Sequence, residues 1–349
     1  MSQSTISGVS IRGIATSVPE RRFDNVADAT GFAPDAVRKV VAMAGVAERR
    51  IVDGMTCSSD LCFQAAETLL DAVRWQRESI DGLVFVTQTP DYFMPSSSCV
   101  LHKRLGLQEH CASFDLGLGC SGYIYGLWLA SMMLKAGGLR RVLLLHGETP
   151  TRYAFEQDHA TSLLFGDAGS ATAVERDETD GSTPAFFTLC TDGSGYEDLI
   201  VEGGGFRDRF CATPRAHFVK MNGANVFNFT IKVIPPLIRD TLRLANRQVD
   251  EIDYYIFHQS NRFILQHLIE TCGLPRDRVP VVLDRFGNSG GPSVPLTITQ
   301  GLTGSLGRPV SLMLLGYGTG LSWGAALVQL PSDVVIRHVE YRSHAAHAV

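Results

Sequence analysis

The feature that most constrains this chain is a faint internal repeat offset by about 170 residues, far longer than any solenoid period. Four segments recur in the same order. The run from Ile80 to Gln88 (IDGLVFVTQ) matches that from Ile252 to Ser260 (IDYYIFHQS). FDLGLGCSG from Phe114 is echoed by LDRFGNSG from Leu283, each a strand end followed by a small-residue turn that opens a helix. VLLLHG from Val142 pairs with LMLLGYG from Leu312, and GDAGSATAV from Gly166 with GLSWGAALV from Gly320. Four matches in register imply two fused copies of one domain. The expected halves are 1–180 and 181–335, followed by a weakly ordered tail at 336–349.

Within each half, apolar β-branched and aromatic runs read as buried strands. Between them lie helical stretches, Ser59 to Val73, Ser121 to Lys135 closed by Gly137 and Gly138, and Phe227 to Ala245. Strands alternating with helices predict an α/β fold with mostly parallel sheets covered on both faces, doubled.

Composition narrows the function. With 349 residues, 45% of them hydrophobic, the chain can bury two cores. Its 36 acidic residues outnumber the 31 basic ones, and no Lys/Arg block breaks that balance, which argues against nucleic acid. The eight cysteines form no CxxC pair, so neither a zinc site nor a disulfide framework is expected and most should be reduced core thiols. The first residues, MSQSTISGVSIRGIATSVP, contain no basic segment followed by an apolar one. No apolar run approaches about 18 residues, so the expectation is a cytoplasmic protein that spans no membrane.

Three residues stand where chemistry can occur. Cys120 lies between Gly119 and Gly122 at the start of a helix. The positive end of the helix dipole should lower the pKa of such a thiol, and the glycines let a substrate approach the sulfur. A buried structural cysteine is the alternative. His258 ends the apolar run Tyr254 to Phe257, at the kind of strand end that opens onto a ligand crevice, and taken alone it is either a satisfied core residue or a catalytic one. Asn288, in RFGNSGGPS, occupies in the second repeat the place of Cys120 in the first; it reads as a left-handed turn residue or as a partner for the other two. If the halves pack with pseudo-twofold symmetry, all three converge. The run GYGTGLSWG from Gly316 has neither G-x-G-x-x-G spacing nor a following Lys-Ser/Thr, and reads as a turn between strands that offers backbone N–H groups rather than a phosphate loop.

At these places the chain resembles the ketoacyl-acyl-carrier-protein synthase III family of the thiolase superfamily. LGCSGYIYGL resembles its nucleophile motif, FHQSN its histidine motif, RFGNSGGPSVP its asparagine motif and GYGTGLSWGAALV its carboxyl-terminal glycine motif. GVAERRIV (45–52), LLFGDAGSA (163–171) and MNGANVF (221–227) agree with lesser signatures, and the likeness spans about residues 8–330. The resemblance implies a five-layered αβαβα thiolase fold and a homodimer whose partner subunit lends a residue to the acyl pocket near MPSSS (94–98). It implies catalysis by Cys120, His258 and Asn288, and an oxyanion hole from the N–H groups of Cys120 and Thr319. By motif position it places Met94, Gly223, Phe227 and Asn261 in the substrate pocket. The implied reaction loads an acyl group from a carrier-protein or coenzyme A thioester onto Cys120. Decarboxylative condensation with a malonyl thioester follows, without a separate cofactor, in fatty-acid or specialised lipid or secondary-metabolite synthesis.

Two departures bear on the donor. Where the family carries a Trp and an Arg against the coenzyme A adenine, this chain has Lys39 and Met43. Where a second Arg is usual, it has His159 after Asp158. After Arg262 no Lys or Arg occurs before Arg276, so a carrier protein would meet Arg276 and Arg278, or Arg207, Arg209 and Arg215. Two rival readings remain. One is an acyltransferase of the same fold that passes the cysteine-bound acyl group to an oxygen, nitrogen or carbon nucleophile without decarboxylation. The other is a catalytically silent subunit, against which the presence of both Cys120 and His258 argues.

Overall fold

The computed structural model describes residues 2–178, 183–302 and 306–343. It is built on two mixed sheets. The first orders its six strands Val335–Tyr341, Val9–Pro19, Ala168–Arg176, Arg141–Glu148, Gly82–Val86 and Ala112–Leu116; the second orders five as Ser2–Ile6, Ala185–Thr191, Ser322–Leu330, Val310–Gly318 and Tyr254–Phe257. Their pairing rules coincide. In the first sheet, Val9–Pro19, Ala168–Arg176 and Arg141–Glu148 are successively antiparallel, and Gly82–Val86 runs parallel to the last. In the second, Ala185–Thr191, Ser322–Leu330 and Val310–Gly318 are successively antiparallel, and Tyr254–Phe257 runs parallel to the last. The recurring segments of the sequence are thus equivalent strands of two like sheets.

Alternation along the strands sorts the side chains into layers, because successive residues face opposite sides of a sheet. Leu83, Phe85, Leu143 and Leu145 pack outward against Ala65, Ala66, Leu69 and Leu70 of helix Ser58–Val73. Their neighbours Val84, Val86, Val142 and Leu144 face inward, to Tyr123, Ile124 and Leu127 of helix Gly122–Ala136. The same inner layer receives Leu312, Leu314, Ala326 and Val328 from the second sheet and Val294 and Ile298 from helix Ser293–Gly301. On the far side, Met313, Leu315, Ala325 and Leu327 meet helices Gly223–Ala245 and Arg262–Thr271. The order is helix, sheet, helix, sheet, helix, the five-layered αβαβα thiolase arrangement. Burying each large side chain of the middle layer contributes about 1.5–3 kcal/mol. Gly126 lets that layer close, since a Cβ there would lie 2.8 Å from both Val86 and Leu144 side-chain carbons.

The terminal strands cross between the halves. Ser2–Ile6 pairs antiparallel with Ala185–Thr191 in the second sheet, and Val335–Tyr341 pairs parallel with Val9–Pro19 in the first. The expected tail 336–349 therefore begins as a strand, while 344–349 lie outside the described residues, as does the expected boundary at 180. The reason is the edge of Val9–Pro19. Most of this strand is buried, and its open side would leave a row of unpaired N–H and C=O groups without the Val335–Tyr341 partner. Among the described residues, no helix is long and apolar enough to cross a membrane.

Candidate active site

Strand Ala112–Leu116 is the edge of its sheet, and the chain leaves it through a turn that ends at helix Gly122–Ala136. Cys120 sits in that turn, two residues ahead of the helix, and the Gly122 N–H closes it on the Gly119 carbonyl at 2.8 Å. The cysteine sulfur faces the hairpin between Val310–Gly318 and Ser322–Leu330, where the backbone N–H groups of Thr319 and of Cys120 itself stand near it. Gly318 permits this approach, because a Cβ there would lie 2.8 Å from Sγ, and its φ of 157° disfavours any other residue.

The surroundings of the thiol act against the lowered pKa expected from its place at a helix start. Burial pushes the Cys120 thiol up to about 12, with the nearby Glu148 carboxylate adding to the rise and the Thr319 and Cys120 N–H groups opposing it. Desolvation of the thiolate is the larger effect because the sulfur is packed against the Gly318–Thr319 hairpin, although the residue as a whole is only half-buried.

His258 follows strand Tyr254–Phe257 and is only 2% exposed. Its Nδ1 lies 3.0 Å from the Gly290 carbonyl and 2.9 Å from Ser293 Oγ. A carbonyl only accepts, so Nδ1 carries the ring proton and the neutral ring keeps its lone pair on Nε2. Burial depresses the imidazole to about 4, against the Gly290 hydrogen bond, which raises it. Asn288 belongs to the same turn. Its Oδ1 accepts the Gly290 N–H at 2.9 Å and its Nδ2 donates to the Ser260 carbonyl at 3.3 Å. The backbone of Asn288 is pinned to segment 163–167 through Asn288 N–H to Leu164 O (2.9 Å) and Gly166 N–H to Asn288 O (3.1 Å). The left-handed positions of this turn belong to Gly287 and Gly290, not to Asn288.

The Cys120 turn and the Asn288 turn abut across the seam of the two halves. A Cβ at Gly291 would stand 2.5 Å from the Gly119 carbonyl oxygen. Beside them a cavity of about 390 Å³ is lined by Cys120, Thr319 and Gly290 at its reactive end and by Phe165, Leu199 and Val219 among its apolar walls. The four residues expected in the substrate pocket do not line it. Met94 is 83% exposed on an outer loop. Gly223 opens helix Gly223–Ala245, Phe227 stacks on Phe263 at 5.3 Å, and Asn261 uses its side chain to cap helix Arg262–Thr271 by accepting the Ile264 N–H. Capping and aromatic stacking on the outer helices hold these side chains in other contacts.

Two residues on the cavity side were not found from sequence. Glu148, 1% exposed, lines the cavity; its Oε1 accepts the Gln88 N–H at 2.8 Å and its Oε2 the Thr89 hydroxyl at 3.1 Å. Burial raises its carboxyl to about 8. Behind it, His146 is fully buried with neither ring nitrogen hydrogen-bonded, and Nε2 stands 4.0 Å from Glu148 Oε1. Burial and the neighbouring His258 hold that ring neutral, down to about 3, so the contact is not an ion pair. The signal available was the repeat itself: His146 and Glu148 stand where the second copy has Gly316 and Gly318.

Two like α/β halves whose Cys120 and Asn288 turns abut at their seam, with His258 bonded to the second of these turns, form a thiolase arrangement. The comparisons agree. The family descriptions 3-Oxoacyl-[acyl-carrier-protein (ACP)] synthase III and 3-Oxoacyl-[acyl-carrier-protein (ACP)] synthase III C terminal match residues 114–193 and 242–330. The beta-ketoacyl-[acyl-carrier-protein] synthase III of Natranaerobius thermophilus is 31% identical over 331 residues, covering 93% of this chain and all of that one. The crystal structure of a 3-oxoacyl-(acyl-carrier protein) synthase from Burkholderia xenovorans LB400 superposes with a TM-score of 0.93 at 39% identity over 97% of this chain and 99% of that one. The Thermus thermophilus beta-ketoacyl-[acyl carrier protein] synthase III superposes with a TM-score of 0.81 at 30% identity over 93% and 99%. The chain belongs to the 3-oxoacyl-[acyl-carrier-protein] synthase III family, and it is a condensing acyltransferase.

Proposed function

We propose that Cys120 takes an acyl group from a thioester and that the acyl-cysteine is then condensed with a malonyl-type thioester after loss of carbon dioxide. The observation that carries this reading is the pair of N–H groups, of Thr319 and Cys120, near the Cys120 sulfur at the mouth of an apolar cavity. Donors held there would receive the oxyanion of a thioester carbonyl under attack, in a site that water leaves. Asn288 Nδ2 keeps one N–H free of the Ser260 carbonyl, and this would bind the malonyl thioester oxygen, where charge develops as the carboxylate departs. His258 Nε2 would join it as a donor once the ring takes a second proton, since Nδ1 already holds the first.

A carrier protein or coenzyme A would deliver the acyl group. Lys39 and Met43, the latter 65% exposed, bring neither a ring nor a guanidinium to an adenine at their positions, which favours the carrier protein. A homodimer fits the open edge strand Ala112–Leu116 beside the loop of Tyr92, Phe93 and Met94, all more than half exposed. Met94 would then reach the partner subunit's cavity. We place the enzyme in the cytoplasm, in fatty-acid or specialised lipid or secondary-metabolite synthesis.

The test is intact-protein mass spectrometry after incubation with acyl-carrier-protein and acyl-coenzyme A thioesters, beside carbon dioxide release from malonyl donors. A mass added at Cys120 together with malonyl-dependent carbon dioxide supports condensation. Loading without carbon dioxide from any malonyl or methylmalonyl donor gives the non-decarboxylating acyltransferase instead.

A further inference from the structure

The repeat sets His146 and Glu148 apart. In the second copy the equivalent strand end is Gly316 and Gly318, and these two glycines are packed onto Cys120: a Cβ at Gly316 would lie 2.9 Å from the Cys120 carbonyl oxygen and one at Gly318 2.8 Å from its sulfur. In the first copy the roles of bulk and space are exchanged. His146 and Glu148 supply side chains, and Gly290 and Gly291 of the Asn288 turn supply the room, since a Cβ at Gly291 would stand 1.8 Å from His146 Cε1 and one at Gly290 3.2 Å from Glu148 Cγ. A carboxyl and an imidazole have thus been built into the seam at positions that the fold itself fills with glycine.

Both are expensive to bury. An imidazole nitrogen without a partner costs about 1–3 kcal/mol, and a buried carboxylate costs more. Packing alone does not require this, because an aliphatic pair would fill the same space without an orphaned nitrogen. What the pair does supply is a proton acceptor lining the same cavity as Cys120, whose thiol burial makes hard to ionise. Glu148 retains further acceptor capacity beyond its bonds from Gln88 N–H and Thr89 Oγ1.

We propose that Glu148 accepts the Cys120 thiol proton during acyl loading and returns it to the departing thiol, with His146, whose Nε2 borders the carboxyl at 4.0 Å, a positioning residue beside it. The proposal rests on the acyl-loading reading above. The step balances without another reactant. As the Cys120 S–H bond breaks, its proton passes to the Glu148 carboxylate and the sulfur pair forms the bond to the thioester carbon. When the tetrahedral intermediate collapses, the donor's C–S bond breaks and its thiolate takes the proton from Glu148. The acyl group has moved from one sulfur to another, and Glu148 is again a carboxylate.

The groups that face Glu148 decide its pH range. His146 is on its own strand, Asp167 raises it from the adjoining segment, Tyr153 and Cys120 share the cavity wall, and His258 faces His146 from the second half. With the carboxyl near 8, acyl loading should rise with pH and level off as Glu148 becomes fully ionised. Its rival as acceptor is the Nε2 lone pair of His258.

The experiment measures the rate of acyl loading by intact-protein mass from pH 6 to pH 9, using one acyl thioester and four proteins. Glu148→Gln keeps the carboxyl's shape and a carbonyl acceptor for Gln88 N–H, and should load about 100-fold or more slowly, with the rise toward pH 8 abolished. His258→Ala removes the rival acceptor, and a rise of loading with pH that persists in it, whatever its absolute rate, assigns the acceptor to Glu148. His146→Phe preserves the ring's volume beneath Gly291 without its nitrogens, and should displace the midpoint of the profile, which a purely space-filling role would not do. A Glu148→Gln enzyme with the wild-type rate and profile, or a pH dependence lost in His258→Ala instead, overturns the proposal while leaving Cys120 loading intact. An unmoved midpoint in His146→Phe overturns the part assigned to His146. A wild type that takes up no acyl group refutes the loading reading, and this proposal with it.

Discussion

Replacing Asn288 separates the two half-reactions, and the structure says what else the replacement disturbs. Asn288 Oδ1 accepts the Gly290 N–H at 2.9 Å, and the Gly290 carbonyl in turn holds His258 Nδ1 at 3.0 Å. Asn288→Ala removes the amide donor and also orphans the buried Gly290 N–H, which should cost about 1–3 kcal/mol of stability. Asn288→Ser removes the donor but keeps the turn, because a serine hydroxyl accepts the N–H two residues on as an asparagine does. The neutral His258 ring turns a lone pair outward, so Asn288 is the donor at the enolate oxygen whose action needs no prior protonation. Its loss should slow decarboxylation by about 100-fold or more, or about 2.7 kcal/mol of transition-state stabilisation, in both variants. Cysteine acylation uses the Thr319 and Cys120 N–H groups and should stay within a few-fold of wild type. The assay follows carbon dioxide release from a malonyl thioester beside the acyl mass on Cys120, with urea denaturation as the control. Decarboxylation that survives in Asn288→Ser, or acyl loading that falls in step with it, would refute the reasoning.

Further outcomes follow from the same geometry. Cys120→Ser should accumulate no acyl adduct, because a hydroxyl there is even harder to ionise than the buried thiol; adduct formation at the wild-type rate would reassign the nucleophile. Donors on an acyl carrier protein should give a higher kcat/KM than coenzyme A donors of the same chain, since Lys39, Met43 and His159 offer the adenine no stacking or bidentate contact, each worth about 1–3 kcal/mol; parity would count against that assignment. Glu148→Gln should stabilise the protein more as pH rises. An acid whose carboxyl goes from 4.5 to about 8 on folding holds its proton better folded than unfolded, so its burial is costless below the lower value and increasingly costly up to the higher. Urea midpoints at pH 5 and pH 8.5 read this directly, and an equal gain at both would contradict it. Gly291→Ala should unfold the seam, because its Cβ would meet His146 Cε1 at 1.8 Å and the Gly119 carbonyl at 2.5 Å; adding His146→Ala should recover only part of the urea midpoint, as the backbone contact remains.

What could be read from sequence was what is local or repeated. Val142 to Leu145 and Leu312 to Leu315 are alike because each strand is buried on both faces, so the doubled α/β pattern was legible from apolar runs and recurring turns, while the five layers came with the family resemblance. The turns bearing Cys120 and Asn288 were marked by glycines, of which Gly119, Gly122, Gly287 and Gly291 are required by a close approach. The assignment of edge strands was not legible, since Ser2–Ile6 and Val335–Tyr341 are chosen by open edges far away in the chain. Nor was the state of Cys120: the dipole of a helix start is a local property, whereas the desolvation of its sulfur depends on walls from distant segments of the chain. His146 passed as part of a buried strand because its meaning lies in Gly291, a contact across the seam.

The crossing of the terminal strands sets a schedule for the newborn chain. Val9–Pro19 emerges from the ribosome well before the segment that closes its open side, Val335–Tyr341, which follows about 316 residues later. At about 5–20 residues per second, that edge waits roughly 15–60 s for its partner. Through that interval the first sheet offers a long apolar strand to any other chain being made nearby, which is the condition under which edges join wrongly. A stop codon just before Val335 would make the wait permanent. Such a truncated product, though it retains Cys120, His258 and Asn288, should collect in inclusion bodies rather than persist as a slightly weakened enzyme.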